Sequence, residues 1–403
     1  MINTTPMDGA SPLFKSEIVI VYAIALKMLL GDRLKYFGLI AGIAFAAMLI
    51  AQQASILVGF TKQTGAFIRD TAQADLWIMD PQVRFSQDHI PLREIMVHTV
   101  RGTPGVQWAV PLFQGFVRAR MPDGTNFTLI LVGLDDSSLT GAPPLMVEGA
   151  LTDLRRDRAV FIDAGTSAKK LRMKNGGNRP MQVGDTFSIM DHQAYIAGSY
   201  RSRTSFFWEP VLYTTYSRAL TFAAGGDRNL LSYVMVKLLP DASLEQTRAL
   251  LQQRTGLAAR TNEEFIQLTA DYILNETGIL MNFGFAILLG FAIGSLVAGQ
   301  TFYNFTLDNL RHYGTLKAMG VSNRTLAGML FLQVAVVSVL GYGIGVGMGS
   351  ALGLLMSSAG LAFSMPWQIP AITALAILLV SLLASWFSLR RVFALEPAVV
   401  FKG

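Results

Sequence analysis

Four histidines, two of them beside aspartates, are the first places to look for chemistry in this chain: His89 after Asp88, His192 after Asp191, His98 and His312. A metal site on a helix needs ligands at a spacing such as i and i+4, and no histidine has a partner placed that way. The two Asp-His neighbours therefore read as solvated loop residues, with a metal or acid–base site as the alternative. No G-x-S-x-G or comparable nucleophile motif occurs, and no G-x-x-x-x-G-K-[ST] loop that would cradle nucleotide phosphates. The expectation is a chain that is not an enzyme by itself and holds no cofactor, so that energy, if used, must arrive from a partner. The absence of cysteine removes thiolate metal sites and disulfides as well.

The spacing that is informative concerns packing. Gly341, Gly345 and Gly349 form one small-xxx-small row, and Gly343 with Gly347 forms a second. Such rows let helix backbones approach closely, either within one subunit or across a dimer. Gln52, Gln53, Asn282 and Gln333 are polar residues deep in apolar segments, read as interhelical hydrogen-bonding groups rather than a substrate site. No spanning segment carries Asp, Glu, Lys, Arg or His in its middle, which argues against a proton-coupled carrier.

The elements that hold these residues follow from hydropathy. Of 403 residues 52% are hydrophobic and only 15% charged, with a mean hydropathy of +0.41, so the chain is divided between lipid and water. Four segments are long and apolar enough to cross a bilayer: 36–60, 277–303, 326–356 and 371–387. The first is too long for the apolar core of a cleaved leader and is expected to stay as an anchor. The fold class is an integral membrane α-helical protein with four transmembrane helices and a large α+β extracytoplasmic domain, 61–276, between the first and second. A net charge of +6 without basic residues interleaved with aromatics speaks against nucleic acid as a partner.

Short loops set the orientation. Lys15, Lys27, Arg33 and Lys35 precede the first span, Arg311, Lys317 and Arg324 follow the second, and Arg390, Arg391 and Lys402 lie in the tail, whereas the 357–370 loop has none. Both termini (1–35 and 388–403) and the 304–325 loop are thus expected in the cytoplasm. Glu17 to Lys35 reads as an amphipathic helix on the inner membrane surface, with an unusually long first span or a second short one as the alternative.

Within the outer domain, two βαβ-like halves, 61–113 and 228–276, are expected to pair around a β-rich insert, 114–227. Pro122, Asp123 and Gly124 mark a hairpin, Ser243 with Gln246 a capping box, and Gly256 a helix stop. Thr261 and Glu264 form a second capping box, opening a helix that is expected to run on as a rigid stalk into the second span, matched by 61–71 extending the first.

The 304–325 loop reads as a helix over 308–319, stopped at Gly320, with Ser322 or Asn323 capping the next. A short helix fixed between two spans is suited to receiving motion from a cytoplasmic partner; a plain connecting loop is the alternative. Here Tyr313, Gly314, Thr315, Leu316, Lys317, Ala318, Met319 and Gly320 read YGTLKAMG, which resembles the coupling segment of FtsX/MacB-type ABC permeases, particularly DevC-type exporter subunits. Ala41–Ala46 (AGIAFA), Ala74–Gln82 (ADLWIMDPQ) and the ending LEPAVVFKG resemble the same group, as does the order of spans. His312 departs from it, standing where an acidic residue is common.

The resemblance implies a homodimer of this chain with two copies of an ABC ATPase subunit, in the bacterial inner membrane. It also implies a periplasmic membrane-fusion adaptor and an outer-membrane TolC-like channel. ATP-driven motion, relayed through the helices, would expel lipid, glycolipid or other hydrophobic cargo. An FtsX-like mechanotransmission protein that controls an envelope hydrolase or kinase is the competing expectation. In either case Leu316 and Met319, three apart on one helix, are expected to enter a groove on the ATPase.

Overall fold

Long runs free of charge form four helices of spanning length in the computed structural model: Arg33–Thr64, Ile279–Asp308, Asn323–Ser358 and Gln368–Phe393. The first, third and fourth extend past both expected ends and the second past its C-terminal end only, because polar residues at the ends of a span still satisfy the helical hydrogen-bond ladder in the interfacial layer. The structure describes residues 12–393 apart from 72, 89, 174–177, 204–208 and 224–229. His89 and the LEPAVVFKG ending therefore lie outside the described residues. Two compact units emerge, Met1–Gly59 with Leu280–Gly403, and Phe60–Ile279.

In the first unit the N-terminal helix, Pro12–Gly31, stops before Asp32, one turn short of the expected Lys35. Its residues Val21, Tyr22, Ala25 and Met28 pack with Tyr313, Leu316, Leu326 and Leu330. The first span is held by small residues facing small residues. A Cβ built on Gly345 would sit 2.7 Å from Ala47 Cβ and closer still to the Ala44 carbonyl, and one on Gly341 would meet Ile43 Cβ at 2.8 Å. Gly349 lies over Met48. The 341/345/349 row thus faces the first span of the same chain, whereas Gly343 and Gly347 have no such neighbour within 4 Å. On the second span, Gly294 lies against Ala46 in the same manner.

The second unit is built on one ten-stranded sheet. Its first four strands run, in spatial order, Ala258–Thr261, Leu76–Met79, Tyr233–Leu238 and Val106–Arg120, all antiparallel, so the two sequence halves do pair. Leu76 and Ile78 face one core with Val97, Val100 and Leu251; Trp77 and Met79 face the other with Phe67, Tyr233 and Phe265. Helices Ile95–Arg101 and Leu244–Thr255 supply the first set of partners, and Asn262–Glu276 supplies Phe265. With both faces covered, the strand reads as an unbroken apolar run.

The insert expected at 114–227 has no break at its start. Val106–Arg120 is one continuous strand that pairs with Tyr233–Leu238 over its first half and with Asn126–Leu134 over its second. At the changeover the Ser232 hydroxyl donates to the Gln114 carbonyl at 2.8 Å and accepts from the Gln114 N–H at 2.9 Å, so the main chain stays satisfied while it switches partners. Asn126–Leu134 then runs parallel to Val211–Thr215, followed by Ala159–Asp163, His192–Arg201 and Leu145–Glu148. The Pro122-Asp123-Gly124 hairpin is present, with Gly124 at φ +83°.

Two local expectations differ. Ser243 stands at the cap of Leu244–Thr255 but makes no side-chain capping bond, although Gly256 ends that helix in the left-handed region at φ +69°. The continuous stalk is interrupted as well. Asn262–Glu276 ends at Thr277, and Gly278, at φ +73°, turns the chain before Ile279. On the other side the first span stops at Thr64, and Gly65 separates it from the short helix Ala66–Asp70.

Candidate coupling site

The segment that reads YGTLKAMG forms the helix Leu310–Ala318, and its ends explain its placement. At the C-terminus the Gly320 N–H donates to the Lys317 carbonyl and the Val321 N–H to the Leu316 carbonyl, both at 3.1 Å, with Gly320 at φ +93°. This is a Schellman closure, which requires a residue without Cβ strain at the turn and seats an apolar residue after it against the helix. Val321 and Leu316 provide that contact. Two residues on, the Ser322 hydroxyl accepts the Thr325 N–H at 3.2 Å and starts the third span.

Three side chains bind this helix to its surroundings. The Tyr313 hydroxyl donates to Gln333 Oε1 at 3.0 Å, and Gln333 Nε2 donates to the Ala25 carbonyl at 2.7 Å. Both side chains are fully buried, and burial pushes the Tyr313 phenol above its ordinary range. One amide thus joins the short helix, the third span and the N-terminal helix. Gln333, read from sequence as an interhelical hydrogen-bonding group, has that role here. Lys317 Nζ reaches the Phe393 carbonyl at 3.2 Å at the end of the fourth span. Lys35 bridges Asp32 at 2.9 Å and Asp308, tying the start of the first span to the end of the second.

The eight residues of the motif do not share one face. Tyr313, Gly314 and Leu316 are buried against the chain's own helices, and Lys317 is half-buried. Thr315, Ala318, Met319 and Gly320 are exposed, together with Arg311 and His312. The expectation that Leu316 and Met319 enter a partner side by side is therefore corrected: Leu316 is 7% exposed and fills the chain's own core, while Met319 is 68% exposed. Arg311 joins the outward face unforeseen; its i−4 spacing from Thr315 was the available signal.

Elsewhere the candidate chemistry stays dispersed. His98 is exposed on Ile95–Arg101, and His192 is exposed beside the Phe222 ring. Among the described residues no three His, Asp or Glu side chains converge in a way that could hold a metal.

A four-span helical unit, a helix held rigidly between two spans and a mixed α/β domain inserted after the first span define a membrane permease with a periplasmic-type domain. A family model described as FtsX-like permease C-terminal matches residues 284–397, and one described as MacB-like periplasmic core domain matches residues 37–254. The chain belongs to the FtsX/MacB type of ABC transporter permeases. An uncharacterized ABC transporter permease of Mycobacterium tuberculosis is 24% identical over 327 residues, covering 78% of this chain and 80% of its own length. A second from that organism is 35% identical over 123 residues, covering 29% of this chain and 33% of its own. A permease of Mycobacterium bovis matches to the same extent, so this chain spans about a third of the length of these two relatives. Among solved structures, the extracellular domain of the noncanonic ABC-type transporter YknZ from Gram-positive bacteria aligns at TM-score 0.34 and 18% identity, over 47% of this chain and 98% of that one. The periplasmic region of MacB from Actinobacillus actinomycetemcomitans aligns at TM-score 0.37 and 18% identity, over 50% and 94%.

Proposed function

We propose that this permease is the membrane subunit of an ABC exporter in the bacterial inner membrane, driven by a separate ATPase that docks on the outward face of Leu310–Ala318. The termini and this helix lie in the cytoplasm, and the sheet domain lies in the periplasm. A homodimer pairs with two ATPase copies, and ATP with its magnesium is bound there. Motion reaches the sheet domain through the spans and expels hydrophobic cargo, lipid or glycolipid, through a periplasmic adaptor and a TolC-like outer-membrane channel. The observation that carries this reading is the build of the short helix. Its inner face is locked through Tyr313, Gln333 and Ala25, so a push on the exposed Met319, Thr315, His312 and Arg311 moves several helices together.

Met319→Asp tests the docking arm. A carboxylate placed in an apolar partner groove without a counter-ion is costly, whereas on the free chain Met319 is exposed and its loss leaves the fold intact. Purified complexes are expected to lose most of the ATPase, with unchanged thermal stability of the permease. Normal ATPase retention together with normal coupled transport would remove this helix from the drive.

A further inference from the structure

Between the third and fourth spans lies an open groove of about 360 Å³, walled by Phe331, Val334, Val339, Ile377, Leu378 and Leu382. Its few polar groups already have partners. The Ser338 and Ser381 hydroxyls are 2.5 Å apart, Ser385 donates to the Ser381 carbonyl at 2.7 Å, and the Tyr342 hydroxyl donates to the Pro370 carbonyl at 3.1 Å. Nothing in the groove is left to hold a polar molecule, so it accepts hydrocarbon. Its rim is open: Val339 is 69% exposed and Leu378 54%. From the level of Ala374 to that of Ser385 it runs about 17 Å, roughly one leaflet of the 30 Å hydrocarbon layer.

The end of the groove nearest the Leu310–Ala318 helix carries positive charge. Along the fourth span, Leu378, Leu382, Trp386 and Arg390 form one i, i+4 row, so Arg390 stands two turns beyond the Leu382 wall. Its guanidinium lies 5.1 Å over the exposed Trp386 ring. On the facing span Arg324, exposed, stands two turns beyond Phe331 on the same side. Among the described residues neither arginine is paired with a carboxylate.

We propose that this groove is a binding site for an anionic phospholipid, one acyl chain lying between the third and fourth spans and the phosphate held by Arg390 and Arg324. Tail length, an apolar wall and a cationic mouth over an interfacial tryptophan together match that ligand. The site borders the helix assigned to ATPase docking, so the lipid would brace the third span where it meets that helix. The proposal concerns this chain alone and does not depend on the exporter reading.

The test is photolabelling of the full chain in vesicles containing a trace of phosphatidylglycerol or phosphatidylcholine with a photoreactive acyl chain. Phosphatidylglycerol is expected to label peptides spanning 331–342 and 374–385 about fivefold or more over phosphatidylcholine, given about one such factor per arginine near the headgroups. Arg390→Ala should cut that preference about fivefold, Arg390→Ala combined with Arg324→Ala should bring the two lipids close together, and Ala335→Trp should abolish groove labelling by both. If Ala335→Trp does not fold, competition by unlabelled phosphatidylglycerol over phosphatidylcholine decides the same point. Equal labelling by the two lipids in the wild-type protein would overturn the proposal. So would exclusion of both lipids together with efficient Val339→Cys disulfide formation between copies, since that outcome gives the groove to a second copy of the chain.

Discussion

In the sheet domain Trp77 is enclosed by Phe67, Tyr233 and Phe265, with ring centroids 5.4 to 6.3 Å away, and its indole N–H donates to Asn262 Oδ1 at 2.7 Å. In the helical unit the tightest places are the opposite: Gly345 on Ala44 and Ala47, and Gly294 on Ala46. Water accounts for the contrast. A large apolar side chain gains by leaving water, so the sheet domain concentrates aromatics at its centre. In lipid that gain is absent, because the solvent is as apolar as the side chain, and helices gain instead from close backbone approach. The exposed leucines and phenylalanines of the second span, among them Phe285, Leu288 and Leu296, are the same economy seen from outside.

The largest break in this comparison is Trp77→Ala. Removing a fully buried tryptophan leaves a cavity and takes the indole donor from Asn262 Oδ1, and is expected to cost the sheet domain about 3–5 kcal/mol. Thermal unfolding followed by near- and far-ultraviolet circular dichroism should show the aromatic transition of the sheet domain falling by many degrees while the far-ultraviolet helical signal persists. A loss of less than about 1 kcal/mol would show that the aromatic cluster is not the core it is taken for.

Next in size is a pair of glycine substitutions that a lipid-facing helix would treat alike and a packed helix would not. Gly345→Leu drives a side chain into Ala44 and Ala47 and should destabilise the unit by about 1–3 kcal/mol or more. Gly343→Leu, where the added group meets open space, should change the stability of the single chain by under about 0.5 kcal/mol. Melting in detergent separates the two, and the order would reverse if the 343/347 row were the buried one. Oligomer mass adds a second reading, since loss of a dimer in Gly343→Leu alone would place the second row between copies.

What could be read in the sequence divides along the range of the interaction. Capping at Thr261, where the hydroxyl accepts the Glu264 N–H and Glu264 accepts the Thr261 N–H, needs only four residues, as does the Asp123-Gly124 turn. Spans were legible because twenty apolar residues in a row have few other uses. The inner face of the Leu310–Ala318 helix was not, since Leu316 and Met319 are both apolar at helical spacing and only the presence of Val21, Tyr22 and Ala25 beside one of them decides which is covered. Similarly, Val106–Arg120 contains Pro111 and Gly115, which read as an end, yet the strand continues because Ser232 and the Asn126–Leu134 strand supply partners on either side of the change. Gly278 was visible as a glycine, but its positive φ reflects how the chain must turn, which no neighbour in sequence specifies.

A third substitution asks whether polar contacts in the helical unit act as they would in water. Gln333→Leu leaves the buried Tyr313 hydroxyl without its acceptor, at an expected cost of about 1–2 kcal/mol. Adding Tyr313→Phe should then recover part of the loss, since both partners of one bond are gone. Strictly additive losses on melting the single and double variants would mean that the Tyr313–Gln333 bond contributes nothing of its own.

The smallest expected effect separates two carboxylates within the sheet domain by the sign of their pH dependence. Asp185 accepts from both arms of Arg179, at 2.7 and 2.8 Å, and that pair holds its carboxyl below the usual range. Asp70 is different: burial pushes its carboxyl up, and the Arg203 guanidinium at 2.8 Å only partly offsets this. For Asp185 the folded state binds its proton less readily than the unfolded chain, so its contribution is fully present above the unfolded value near 4 and is lost as pH falls through the folded one. For Asp70 the folded state binds the proton more readily. Stability is therefore greater below the unfolded value and declines as pH rises through the folded one. Measured against Asn at the same position, aspartate at 185 should be worth under about 1 kcal/mol at pH 7 and lose that advantage on acidification. Aspartate at 70 should gain relative to Asn over the same descent. Unfolding of Asp185→Asn and Asp70→Asn beside the wild-type protein from pH 7 to pH 2 provides the check, and two differences that run in the same direction would show that burial does not govern Asp70.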